Sequence, residues 1–228
     1  MDFLEHFKMK KNKKYSRREI IQIAGITTGS ALLFGCQGDK ASERNIHDSK
    51  NESDVNKIED TDLNEAMTRE SIMAMLDEKV KMIMASSYHC AQTAFLVLKE
   101  QFNLDDGEIL KALTPLPGLG EKGLTCGAIT GSLMALGLVF GRENLDDWET
   151  YRASLKPAGE LIDRFKEEQG STDCCDIIET EFGEKYDLLD PEDHAEYVQA
   201  GATEKCGLVV QRAVRIAADI ILREKYGK

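Results

Sequence analysis

GLTCGAITGSLMALGLVFG, residues 123–141, is the stretch on which the reading of this fold turns. It is apolar almost throughout, carries one cysteine near its start, and is interrupted by glycine at positions 127, 131, 137 and 141. A membrane span needs about 20 consecutive apolar residues, and the glycine-broken run falls short of that. A phosphate loop is not supported either, because PGLGEKG, residues 117–123, lacks the Gly-Lys-Ser/Thr ending that cradles phosphate. The remaining reading is a buried helix that opens at Cys126.

Outward from this stretch the periodicity is helical. Ile72, Leu76, Val80, Ile83 and Met84 recur at three-to-four spacing, and Ala94, Phe95, Leu98 and Phe102 form a second stripe beginning near Cys90. ILKAL is a short third helix, stopped by a loop with Pro115, Pro117, Gly118 and Gly120. Tyr151, Leu155, Ala158, Leu161, Ile162 and Phe165 stripe another helix, ended by Gly170. Asp190 before Pro191 is a cap followed by a first turn, Gly201 is a stop, and Thr203 opens a long last helix. Nothing alternates with period two. The expected fold is all-α, a compact helical bundle of about six to seven helices over residues 66–228, with cysteines at helix N-termini.

The remaining 65 residues read differently. The chain of 228 residues is acidic, with a net charge of -12, and shows no clustered basic patch after residue 44, which argues against nucleic acid as a partner. The N-terminus alone is basic: KMKKNKKYSRREII precedes the mildly apolar IIQIAGITTGSALLFGC. That order describes an export signal over residues 1–36 rather than a fold element. Ser16-Arg17-Arg18-Glu19-Ile20-Ile21 resembles a twin-arginine signal, and Leu33-Phe34-Gly35-Cys36 resembles a lipobox whose Cys36 would carry lipid. Phe34 is bulkier than the residue usual there. Residues 37–65 hold few apolar side chains and read as a flexible polar linker. The expectation is an extracytoplasmic protein tethered to the cell membrane, or a periplasmic or secreted soluble one if Cys36 is not lipidated.

Five cysteines belong to the domain: Cys90, Cys126, Cys174, Cys175 and Cys206. No C-x-x-C and no C-x-x-C-H is present, so no thioredoxin pair, zinc knuckle or c-type haem attachment is signalled. The cysteines instead stand at the starts of apolar helices, with Thr125, Asp173 and Thr203 as nearby capping residues. A helix N-terminus carries about half a positive charge, which favours the thiolate. Buried core filling and structural disulfides are the plainer readings of the same residues.

Together these residues resemble the C_GCAxxG_C_C family of redox-active proteins, named for four widely spaced cysteines. The core motif is Cys126-Gly127-Ala128-Ile129-Thr130-Gly131; Cys90-Ala91-Gln92 fits the first cysteine, Cys174 the third and Cys206 the fourth. The resemblance covers about residues 75–225. It departs at Cys175, either a bystander or half of a vicinal disulfide with Cys174. The resemblance implies redox activity, without stating which chemistry.

Three chemistries follow. The first is an iron–sulfur cluster held by Cys90, Cys126, Cys174 and Cys206, loaded before a folded protein is exported. Gly127 and Gly131 would then keep side chains away from the cluster or from a neighbouring helix. The second is a dithiol/disulfide centre without a cofactor, and the third a structural zinc or disulfide site. His89 is read as a helix-start residue, His194 as solvated surface, and Glu121 and Lys122 as loop charges. No nucleophile–base–acid set is present, so no catalytic residue is assigned. The expected partners are an oxidoreductase or other electron-transfer protein, the membrane through the N-terminal lipid, and a second copy of the chain in a homo-oligomer.

Overall fold

The computed structural model describes residues 64–228 apart from Asp106. The export signal, Arg17, Arg18, Cys36 and the linker up to residue 63 lie outside these described residues.

From Arg69 onward nine helices follow one another: α1 (Arg69–Ser87), α2 (Cys90–Phe102), α3 (Ile109–Ala112), α4 (Gly118–Glu121), α5 (Gly127–Phe140), α6 (Trp148–Gln169), α7 (Cys174–Phe182), α8 (Pro191–Gln199) and α9 (Ala202–Tyr226). Seven are nine residues or longer, in line with the expected bundle, and α3 and α4 are single turns. Among the described residues there is no strand, only one isolated antiparallel bridge between Thr125 and Asp173. No described helix is long and apolar enough to cross a membrane.

The core is built on α9, which packs against α1, α2, α5 and α6. Val210, Ala213, Val214, Ala217, Ile220 and Ile221 are buried along it. The first two stripes read from the sequence face the same core, with Ile72, Leu76, Val80 and Met84 buried on α1 and Ala94, Phe95, Leu98 and Phe102 on α2. The α6 stripe divides: Leu161 and Phe165 are buried, whereas Tyr151, Leu155 and Ile162 are exposed. Arg142 lies over the rings of Trp148 and Tyr151 at 5.3 and 4.8 Å, so part of that stripe packs locally.

The glycines of α5 allow its close approach to α2. A Cβ at Gly131 would lie 2.1 Å from the Ala91 carbonyl oxygen, and one at Gly127 would lie 2.3 Å from the Cys90 sulfur. Neither distance is sterically possible, so only glycine lets the start of α5 cross the start of α2 at backbone contact. The N-terminal edge of the described chain is tied to its end. Asn64 and Gln101 exchange hydrogen bonds, and the Lys228 ammonium donates to the carbonyls of Asn64, Glu65 and Met67.

Candidate redox site: four cysteines around one pocket

Cys90 is the first residue of α2, behind the N-cap His89. The His89 ring accepts from the Gln92 amide at Nδ1 (3.1 Å), and its Nε2 donates to the Thr114 carbonyl (3.0 Å). Both nitrogens are therefore engaged, Nδ1 in capping α2 and Nε2 on the loop after α3, which leaves His89 no lone pair for a ligand.

Cys126 and Cys174 are neighbours by backbone pairing. The Cys126 amide donates to Thr172, the Cys174 amide to Leu124 at 2.7 Å, and the Cys175 amide to Gly123 at 3.0 Å, around the Thr125–Asp173 bridge. The loop enclosing them turns through left-handed backbone at Gly118, Leu119, Gly120, Glu121 and Gly123. At Gly123 a Cβ would lie 2.9 Å from that of Cys175, and at Gly118 one would sit in contact with Cys174. Two capping expectations are corrected here, and a third is met in position only. Cys126 is itself the N-cap of α5, in place of Thr125. Asp173 holds the N-cap position of α7 without a side-chain bond, because the first amides of that helix already donate to Gly123 and Leu124. Finally, α9 begins at Ala202 behind the left-handed Gly201, so Thr203 is inside the helix and Cys206 lies in its second turn.

These elements bring Cys90, Cys126, Cys174 and Cys206 to the wall of one pocket of about 320 Å³. Cys126 is buried, the other three are half-buried, and all are free thiols. Cys175 points elsewhere: it is an exposed free thiol near the Asp176 carboxylate, outside the pocket wall. Apolar residues, including Met84, Ile177, Val209 and Val210, complete much of the lining. Glu121 and His194, read from the sequence as loop charge and solvated surface, both reach the wall, although His194 remains exposed.

The thiolates expected at helix starts are not favoured. Burial pushes the Cys90 thiol well above its ordinary value, and neighbouring Cys126, Cys174 and Cys206 add to this. Burial takes Cys126 up to about 12, against the lowering effect of the Ala128 and Ile129 amides. Cys174 and Cys206 are raised as well, chiefly by burial. Helix amides do reach the Cys90 and Cys126 sulfurs, but desolvation in an apolar pocket outweighs them. Four negative charges cannot gather here without a positive centre among them.

One residue of the site left no motif in the sequence. The Tyr197 hydroxyl lies 2.8 Å from the Cys206 sulfur, and its ring packs against Phe182 and Tyr186 at 5.0 and 5.5 Å between centroids. Burial, and then Cys206, raise the Tyr197 phenol far above its ordinary range, so it stays protonated. The only local signal was a tyrosine in the otherwise polar, acidic helix PEDHAEYVQ.

The family whose model matches is described as "Putative redox-active protein (C_GCAxxG_C_C)", and the match runs over residues 88–220. The chain belongs to the C_GCAxxG_C_C family. No curated protein and no solved structure matches it. The C_GCAxxG_C_C match takes in all four pocket cysteines and extends from the cap of α2 into α9. The C-G-A-x-x-G element thereby has a structural reason in this chain: one glycine makes room for the Cys90 sulfur and the next for the α2 backbone.

Four thiols are soft donors of the kind that hold iron–sulfur clusters, zinc or copper(I). Among the described residues, no group of three or more His, Cys, Asp or Glu side chains is placed to hold a single metal ion. A tetrahedral zinc site would draw its sulfurs to about 3.8 Å from one another. Here the four cysteines line one cavity of about 320 Å³.

Proposed function

We propose that Cys90, Cys126, Cys174 and Cys206 hold an iron–sulfur cluster and that the protein transfers electrons. The observation that carries this is the convergence of four cysteines, remote in sequence, on one largely apolar pocket. The cluster would supply one-electron redox chemistry. The chain's own residues do the rest: Gly127 leaves space for the Cys90 sulfur, and the Thr125–Asp173 pairing sets Cys126 beside Cys174. The apolar wall limits water, which protects buried thiolates bound to a positive centre.

A dithiol/disulfide centre is the second reading. It is favoured by four free thiols on one pocket wall, where Cys126, Cys174 and Cys206 act electrostatically on Cys90. The two readings separate on the full chain purified anaerobically. Iron and acid-labile sulfide with a visible charge-transfer spectrum support the cluster. A colourless, iron-free and folded protein after reconstitution, with a thiol count that changes on reduction, supports the dithiol.

We also propose that the protein works outside the cytoplasm with an oxidoreductase partner, on the basis of Arg17-Arg18 and Cys36. Mass spectrometry of the mature N-terminus tests this; an unprocessed Met1 in the purified membrane fraction argues against lipidation at Cys36.

A further inference from the structure

We propose that Tyr197 sets the reduction potential of the cysteine centre by donating its phenolic hydrogen to the Cys206 sulfur. This rests on the redox reading above and adds a positioning residue to it.

Among the described residues, Tyr197 makes the one side-chain hydrogen bond to a pocket sulfur, at 2.8 Å. Once Cys206 is a thiolate the sulfur has no proton to give, and the phenol alone can be the donor. The hydroxyl is aimed rather than roaming. Its ring is held by Phe182 and Tyr186, and Phe182 is itself covered by the Lys205 ammonium at 4.3 Å. Cys206 and Tyr197 come from adjoining helices, α9 and α8, joined by the short turn at Ala200 and Gly201.

A hydrogen bond to a ligand sulfur withdraws electron density from it and stabilises the more negative, reduced state, which raises the potential. One electron enters, no bond to the protein forms or breaks, and the proton stays on the Tyr197 oxygen. The sign is the same for a disulfide couple, in which two electrons cleave the S–S bond and leave Cys206 and its partner cysteine as thiolates, since the hydrogen bond is strongest to the reduced sulfur.

The test compares Tyr197→Phe with Tyr186→Phe, both in the full chain. Tyr186 belongs to the same ring cluster but gives its hydroxyl to Glu184, so its removal controls for loss of a hydroxyl as such. Midpoint potentials come from mediated spectroelectrochemistry, alongside iron and sulfide analysis. The expected result is a more negative midpoint in Y197F alone, with iron content unchanged. An unshifted Y197F, an equal shift in both variants, or loss of iron from Y197F would each overturn the proposal. A wild-type chain free of iron and sulfide refutes the cluster reading by itself. The same variants are then compared in glutathione redox buffers, where a negative shift confined to Y197F supports the role of Tyr197 and no shift overturns it. A chain with neither couple overturns both.

Discussion

A methyl group at position 127 would stand 2.3 Å from the Cys90 sulfur, whereas one at position 137 would meet nothing within 4 Å. Gly127→Ala is therefore expected to displace the Cys90 sulfur, lower metal loading and destabilise the fold by about 1–3 kcal/mol. Gly137→Ala on the same helix should be neutral or stabilising by up to about 1 kcal/mol. Urea denaturation and iron analysis of the two variants check this pair, and equal behaviour would refute the steric argument. Cysteine identity divides at this scale too. Cys126→Ser should abolish any cluster, and Cys175→Ser should leave its spectrum unchanged, because of these two only Cys126 lines the pocket. Adjacent Cys174 and Cys175 both meet the Gly118–Gly123 loop, and only Cys174 lines the pocket, whose other walls come from far away in sequence. Tyr197 was invisible for the same reason: its partner sulfur is on another helix.

Helix α8 is the element that carries Tyr197 to the pocket, and it has no buried residue of its own. Its start depends on Asp190, whose carboxylate accepts from the Glu192 and Asp193 amides at 2.9 and 3.2 Å. Asp190→Ala should cost about 1 kcal/mol. Hydrogen exchange is expected to rise over α8 while α1, α2 and α9 stay protected; uniform exchange across the chain would refute a local effect. The Asp190-Pro191 start is legible because a cap and a first turn are short-range chemistry. The start of α9 was misplaced because Gly201, with φ +89, lets the chain turn directly out of α8 and begin the new helix at Ala202, ahead of Thr203. That shift moves Cys206 out of the first turn, and a side-chain hydroxyl from α8 takes the place of helix amides at its sulfur.

At the scale of the molecule, one ion network clamps the outer side of the bundle. Asp219 on α9 accepts from Arg164 on α6 at 2.7 Å and from Arg69 on α1, and Glu160 on α6 takes both ends of the Arg223 guanidinium. Burial pushes the Asp219 carboxyl upward, but Arg164 and Arg69 outweigh it and hold it below its usual range. Glu160 is lowered first by Arg223. Both carboxyls are thus more acidic in the folded chain than in the unfolded one. Their contribution is complete above about pH 5 and is lost as the pH falls through the folded-state values. Asp219→Asn should cost about 1–2 kcal/mol at neutral pH, with a loss that shrinks towards pH 3. Urea midpoints across that range check it, and a pH-independent difference would refute the charge argument.

The helical class and the main apolar stripes were legible in residue order, since both are written in contacts three or four residues apart; the cysteines were legible by identity and placement. The glycines at 127 and 131 were readable as close-approach positions, though not which neighbour approached. That four cysteines share a pocket, that Cys175 stays outside it and that Tyr197 joins it follows from long-range packing. It also set desolvation against the helix-start amides at Cys90 and Cys126. A helix N-terminus acts locally and can be inferred from neighbouring residues. Desolvation depends on everything packed around the sulfur, and that environment is assembled from α1, α2, α4, α7, α8, α9 and the N-cap of α5 together.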